Sequence, residues 1–203
     1  PTHHGAFDIS FLRAIPNLQF LAPADEAELK KMLHYAAAAT GPVAIRYPRG
    51  ASACSLESGQ RHPLLQSGKA EVVKEGSQIS VWALGHTLGT AARAVEELDK
   101  QGISARLINP RFIRPFDTEL LADSVRRHLP IVTVEENALP GGFGSLVAEH
   151  AMELGHTAGI LRIGLPDEFV PHGSQEELRH MLKIDAEGIK ERITSWLKTR
   201  HRP

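Results

Sequence analysis

Short apolar runs alternate along this chain with stretches of 3.6-residue spacing, the pattern of strands separated by amphipathic helices. Residues 18–22 (Leu-Gln-Phe-Leu-Ala) predict a strand, and Pro23-Ala24-Asp25-Glu26 sets a proline and two acids where a helix begins. Leu29, Met32, Leu33 and Ala36 follow at i, i+3, i+4 and i+7, so that face is expected to be buried. Gly41-Pro42 ends the helix and residues 43–47 form the next strand. A strand–helix–strand unit predicts a parallel sheet with its clefts at the strand ends.

Periodicity is lost between Gly50 and about Gly68, where Ser, Gly, Pro and Gln dominate, so residues 51–68 read as a linker. The alternation then resumes. Residues 79–84 are a strand, Thr87 is placed to cap a helix carrying Leu88, Ala91, Ala92, Val95 and Leu98, Gly102 ends it, and residues 103–108 form a strand. Asp117 or Thr118 starts a helix with Leu121, Val125 and Leu129 at four-residue steps, followed by Pro130 and a strand over residues 131–134. Gly141-Gly142-Phe143-Gly144-Ser145 opens another helix, with Val147, Ala151 and Leu154 facing inward, and residues 160–163 are a strand. Asp185 caps a last helix with Ile189, Ile193, Trp196 and Leu197 in register and Lys198, Arg200 and Arg202 near its negative end. The expected fold class is α/β throughout.

Two stretches stand apart from this scaffold by their chemistry. Thr2-His3-His4-Gly5-Ala6-Phe7-Asp8 crowds two imidazoles and a glycine against an aromatic and a carboxylate, poor material for a helix or strand interior, and reads as a functional loop. Arg46-Tyr47-Pro48-Arg49-Gly50 closes the second strand with two guanidiniums whose forked donors suit a phosphate or carboxylate. An imidazole loop beside an anion clamp makes half of an active site. Gly141-Gly142-Phe143-Gly144 invites a phosphate-cradle reading, because helix N-termini bind anions. It lacks the lysine of a P-loop and the spacing of a dinucleotide fingerprint, which favours a tightly packed turn. Glu135-Glu136, at a strand end, has the form of an acid/base pair. The remaining histidines lack metal-ligand spacing, and no protein-built metal site is expected.

Charge adds an exclusion: 23 Lys and Arg against 24 Asp and Glu give a net charge of −1, with no basic excess for nucleic acid or an anionic membrane. No apolar run approaches the ~20 residues of a spanning helix, and the N-terminus lacks the succession of a secretory signal, so a soluble cytoplasmic protein is expected. The single cysteine, Cys54, lies in the linker and rules out an internal disulfide framework. The chain opens at Pro1 inside a loop of functional character, so it is expected to begin in the middle of a longer protein. Its 203 residues could hold one domain or two small ones.

Several separated motifs, taken together, carry a resemblance. Pro1-Thr2-His3-His4-Gly5-Ala6-Phe7-Asp8-Ile9-Ser10 and Arg46-Tyr47-Pro48-Arg49-Gly50 come first. Val134-Glu135-Glu136-Asn137-Ala138 with Gly141-Gly142-Phe143-Gly144-Ser145 follows, then Gly164-Leu165-Pro166-Asp167 with Pro171-His172-Gly173-Ser174. In this order they resemble, over essentially the whole chain, the C-terminal part of the 1-deoxy-D-xylulose-5-phosphate synthases, thiamine-diphosphate enzymes of the transketolase superfamily.

The resemblance implies that residues 1–50 end a parallel-sheet pyrimidine-binding domain and that residues 69–203 form a transketolase-type C-terminal α/β domain. It implies condensation of pyruvate with D-glyceraldehyde 3-phosphate, with loss of CO2, to a precursor of isoprenoids, thiamine and pyridoxal. Thiamine diphosphate and Mg2+ are the implied cofactors, and a homodimer the implied assembly. His3 takes the catalytic position facing the cofactor and the pyruvate-derived adduct; His4 is the weaker candidate, since adjacent side chains in extended backbone point opposite ways. Arg49 is the implied contact to the phosphate of glyceraldehyde 3-phosphate, Arg46 a structural residue, and Glu135 and Glu136 structural or interface residues. The Gly-Asp-Gly…Asn element for magnesium, the activating glutamate and the aromatic that stacks on the pyrimidine are missing from the sequence. The cofactor is therefore expected to be held mainly outside this chain, which alone is expected to be inactive. Two other readings share the architecture: the beta subunit of a 2-oxoacid dehydrogenase, and a non-catalytic dimerisation module.

Overall fold

The computed structural model describes residues 4–49 and 65–200; Cys54 and most of the linker lie outside the described residues. A single 3-10 turn, Gly5–Phe7, leads into α1 (Asp8–Leu12), followed by β1 (Gln19–Leu21), α2 (Glu26–Ala38) and β2 (Val43–Ile45). Beyond the linker come β3 (Glu71–Lys74), β4 (Ile79–Ala83), α3 (Thr87–Lys100), β5 (Ala105–Asn109), β6 (Phe112–Arg114) and α4 (Thr118–Arg126). The chain ends with β7 (Ile131–Ala138), α5 (Phe143–Glu153), β8 (Ile160–Leu165), α6 (Gln175–Met181) and α7 (Ala186–Arg200).

The larger sheet has five strands in the order β3-β5-β4-β7-β8. β4 pairs in parallel with β5 and β7, β7 pairs in parallel with β8, and β3 runs antiparallel along β5 at one edge. Every residue of β4 and β5 is buried, as central strands covered on both faces require. Helices α3 and α7 cover one face, where Leu88, Leu98, Ile189 and Ile193 pack with Val81, Leu107 and Val134. Leu121, Phe143, Val147 and Ile9, from α4, α5 and α1, cover the other against Trp82 and Ile131. The chain runs from β4 to β5 on one side and returns to β7 on the other. Strand order therefore reverses between β4 and β7, where an open α/β sheet leaves a crevice at the carboxyl ends of its strands.

The smaller sheet, β2-β1-β6, joins two distant parts of the chain. β1 and β2 are parallel, in register from Gln19 with Val43 to Leu21 with Ile45, and β6 lies antiparallel on β1. Leu21, Met32 and Phe112 form the small core beneath it. Glu28 of α2 is fully buried and accepts from Nε of Arg111 at 2.9 Å and from Nδ2 of Asn109 at 3.1 Å. An ion pair thus locks the helix of the first region to the β5–β6 connection of the second.

Several local expectations are corrected. The stretch read as a loop is partly helical, because Gly5–Phe7 forms a turn that runs directly into α1 at Asp8. Leu33 is 54% exposed: the buried face of α2 passes through Glu28 and Met32 instead, and a charged residue holds the position that apolar spacing assigned elsewhere. Leu154 lies just beyond α5 and is exposed. Thr87 is the first residue of α3 rather than its cap; its hydroxyl donates to the carbonyls of Leu84 and Val134. Asp117 and Asp185 do cap, accepting from the backbone N–H groups of Leu120 and Gly188.

Candidate active site

At the end of β4 the chain turns through Gly85, at φ +60°, and presents His86 immediately before α3. At the end of β7, Glu135, Glu136 and Asn137 follow one another; because successive strand residues point to opposite sides, the two glutamates enter different environments.

Glu135 is fully buried and accepts from the backbone N–H groups of Phe143 and Gly144, each at 2.7 Å. Its carboxylate thereby fills the N-terminus of α5, satisfying donors that have no partner within the helix. A Cβ at Gly142 would lie 2.4 Å from Oε2 of Glu135, so this glycine is required by the close approach of the carboxylate. Burial pushes Glu135 up to about 7, while the two N–H donors and the charges of Arg162 and Arg46 favour its ionised form. The glycine-rich turn holds an internal carboxylate at the place where a phosphate cradle would hold an anion.

Glu136 reaches the crevice between β4 and β7. Nε2 of His86 hydrogen-bonds its Oε2, and Arg179 of α6 donates to the same oxygen through Nε at 3.1 Å and Nη2 at 3.0 Å. Burial opposes ionisation of Glu136, but the His86 hydrogen bond and the charges of His86, Arg179 and Arg46 outweigh it and hold the carboxyl down at about 2. Arg46, one residue past β2, donates from Nη2 to the Glu136 carbonyl at 2.7 Å and to the Gly5 carbonyl at 3.2 Å. Burial lowers its pKa against the pull of Glu136, Asp8 and Glu135. Asn137 completes the strand end: Oδ1 accepts from the N–H of Ile9 at 3.1 Å and Nδ2 donates to the Ser10 hydroxyl at 2.9 Å.

Both chemically marked stretches are therefore fastened to the end of β7: the second through Arg46, and the first through the Gly5 carbonyl on Arg46 and through Ile9 and Ser10, which follow it directly. His3 lies outside the described residues. Its neighbour His4 stands edge-on to Phe169 at 5.8 Å, and Phe7 meets the same ring at 5.6 Å. Arg49 is exposed, and its carbonyl accepts from Nε2 of Gln175 at 2.6 Å. Sequence reasoning missed His86, Gln175 and Arg179. The signal for α6 was present in Ser174-Gln175-Glu176-Glu177, whose Ser174 and Glu177 form a full capping box.

Among the described residues no group of three or more His, Cys, Asp or Glu could hold a metal ion. The cations at the crevice are already bonded to Glu136 and to backbone carbonyls, so these residues do not by themselves fit a diphosphate and its metal. An open depression of about 640 Å³ lies at the amino end of β1, among Leu18, Gln19, Tyr35, Arg114 and Pro115, and includes none of the residues above. No helix among the described residues is long and apolar enough to cross a membrane.

The fold is an α/β sheet with a second, smaller sheet, β2-β1-β6, whose Arg46 reaches the strand end at the switch-point crevice. Residues 68–189 match the transketolase C-terminal domain and residues 1–53 the transketolase pyrimidine-binding domain, and the chain belongs to the transketolase C-terminal domain family. It is 45% identical over 203 residues to a 1-deoxy-D-xylulose-5-phosphate synthase of Acidobacterium capsulatum, covering all of this chain and 32% of that protein. It is 47% identical over 194 residues to one of Desulfotalea psychrophila, covering 93% of this chain and 30% of that protein. The chain thus spans about a third of the length of the curated relatives it matches. A solved structure described as a split-gene transketolase, inactive beta4 tetramer, superposes with a TM-score of 0.85 at 30% identity, covering 93% of this chain and 60% of that one.

Proposed function

We propose that this chain is the acceptor-binding third of a thiamine-diphosphate-dependent synthase that condenses pyruvate with D-glyceraldehyde 3-phosphate to 1-deoxy-D-xylulose 5-phosphate and CO2. The observation that supports the reading is the Arg46 guanidinium, which donates to the Gly5 and Glu136 carbonyls and so ties the Gly5 turn and the end of β7 to the segment that runs on to Arg49. The names of the relatives support the product. In this reading residues 1–50 end the pyrimidine-binding domain, residues 51–68 are a linker and residues 69–203 form the C-terminal domain. His3 exchanges a proton with the substrate, a role worth on the order of 10²–10⁴ in rate. Arg49 grips the acceptor's phosphate through charge-assisted forked hydrogen bonds. Thiamine diphosphate, the family's electron sink, and Mg2+ are held mainly by residues outside this chain. The protein works in the cytoplasm as a homodimer, and the 203-residue chain alone does not turn over. The split-gene transketolase, described as an inactive tetramer, supports both self-association and inactivity.

The test is a chimera in which this chain follows the part of the Acidobacterium capsulatum relative that precedes the matched segment. The chimera should form 1-deoxy-D-xylulose 5-phosphate, whereas the chain alone should neither turn over nor take up thiamine diphosphate and Mg2+ in calorimetric titration. His3→Ala in the chimera should depress kcat by about 10²-fold or more. Micromolar cofactor binding by the chain alone would overturn the cofactor assignment. A folded chimera that transfers to lipoyl domains instead of glyceraldehyde 3-phosphate would assign the chain to a 2-oxoacid dehydrogenase.

A further inference from the structure

Helix α6 contains no buried residue; Leu182, which follows it, packs against the apolar core, and polar contacts hold the first turn of the helix. Its first residue, Gln175, donates from Nε2 to the Arg49 carbonyl at 2.6 Å, while Oε1 of the same amide accepts from Nη2 of Arg179 at 3.1 Å. One turn apart, these two residues share a face, and the Arg179 guanidinium continues onto Oε2 of Glu136. Both ends of the Gln175 amide are thereby used, and the capping box of Ser174 and Glu177 fixes the start of the helix that carries it.

We infer that Gln175 and Arg179 are positioning residues for Arg49: α6 is a strut that transmits the fixed orientation of Glu136 to the backbone of the phosphate clamp. The inference rests on the reading of Arg49 as that clamp. An arginine fork discriminates a phosphate by geometry, and ordering an exposed segment at the moment of binding costs affinity. Arg46 anchors one end of the Arg46-Tyr47-Pro48-Arg49 segment through its side chain. Gln175 anchors the other end through the backbone. Neither Gln175 nor Arg179 needs to touch substrate; each acts by keeping the Arg49 fork preformed.

Two measurements test this. In the 203-residue chain, trypsin cleavage after Arg49, followed by mass spectrometry, reports release of the carbonyl that Gln175 holds. Gln175→Ala and Gln175→Glu should each accelerate that cut by about three- to tenfold, the worth of one hydrogen bond, without changing Tm. The glutamate variant is decisive, since it still pairs with Arg179 but has no proton for the Arg49 carbonyl; a packing role would leave it like wild type. In the chimera, the same variants should raise KM for glyceraldehyde 3-phosphate by about the same factor, leave kcat and the KM for pyruvate in place, and add nothing in an Arg49→Ala background.

An unchanged cleavage rate in both Gln175 variants overturns the strut. A Gln175 effect on KM that persists in full with Arg49→Ala also overturns it, because the amide would then act on substrate directly. If Arg49→Ala alone leaves KM unchanged, the clamp reading fails instead, and the cleavage rates still decide whether α6 orders the segment.

Discussion

Residues 65–200 hold a five-stranded sheet with helices on both faces, whereas residues 4–49 contribute two short strands and complete their sheet with β6, a strand from the other region. The better-packed region carries none of the proposed substrate contacts; Arg49 belongs to the dependent region, and His3 precedes it in the sequence. The two chemically marked stretches are thus located less by a core of their own than by ties to the end of β7 and to Arg111. Glu135, Glu136 and Asn137 divide this work: the first fixes α5, the second gathers Arg179 and His86, and the third holds α1.

The comparison would break most visibly at the buried ion pair. Arg111→Ala leaves the fully buried Glu28 without its guanidinium and should cost about 3–5 kcal/mol in urea unfolding. A loss below about 1 kcal/mol, the range of an exposed pair, would mean that the two regions do not depend on this lock.

The two adjacent glutamates should act oppositely with pH. Glu135 has a folded value of about 7, above its ordinary 4.5, so its burden on stability is absent below pH 4.5, grows as pH rises and is complete above 7. Glu136 is held at about 2, so its contribution is full above pH 4.5 and is lost as pH falls through 2. Glu135→Gln should flatten the decline between pH 4.5 and 7 by on the order of 3 kcal/mol, and Glu136→Gln should flatten the acid-side loss. Chemical denaturation across pH separates them; identical profiles would contradict the two environments.

The smallest effect is expected at Arg13→Ala. It removes an ion pair to Glu149, a partner with 54% of its side chain exposed, and the donor to the Gly141 carbonyl, and should cost about 1–2 kcal/mol. A larger loss would move the fastening of α1 from the strand end to the surface.

Much of the scaffold was legible because burial on a covered sheet imposes simple rules. β4, α3, β5, β7, α5, β8 and α7 all lie where apolar runs and 3.6-residue spacing place them. β3 and β6 went unread: the first is a half-buried edge strand of four residues, the second three residues between Arg111 and Pro115, and neither is long enough to show a period. Leu33 shows the limit of spacing alone, since the buried phase of α2 is chosen by Glu28 pairing with Arg111, 83 residues away. His86, Arg46 and Arg179 converge on Glu136 from 50, 90 and 43 residues away, distances over which single-sequence patterning carries no signal. The proposed roles of His3 and Arg49 came from the resemblance of their motifs, since local spacing alone offered only an imidazole loop and a pair of guanidiniums.

The measurement that bears most directly on the account is the KM for glyceraldehyde 3-phosphate of the chimera carrying Arg49→Ala. Losing a hydrogen-bonded contact to a charged phosphate, worth about 1.5–3 kcal/mol, should raise that KM by roughly ten- to a hundredfold while the KM for pyruvate stays in place. An unchanged KM for glyceraldehyde 3-phosphate, in a chimera that folds and turns over, would contradict the claim that this chain supplies the acceptor's phosphate clamp.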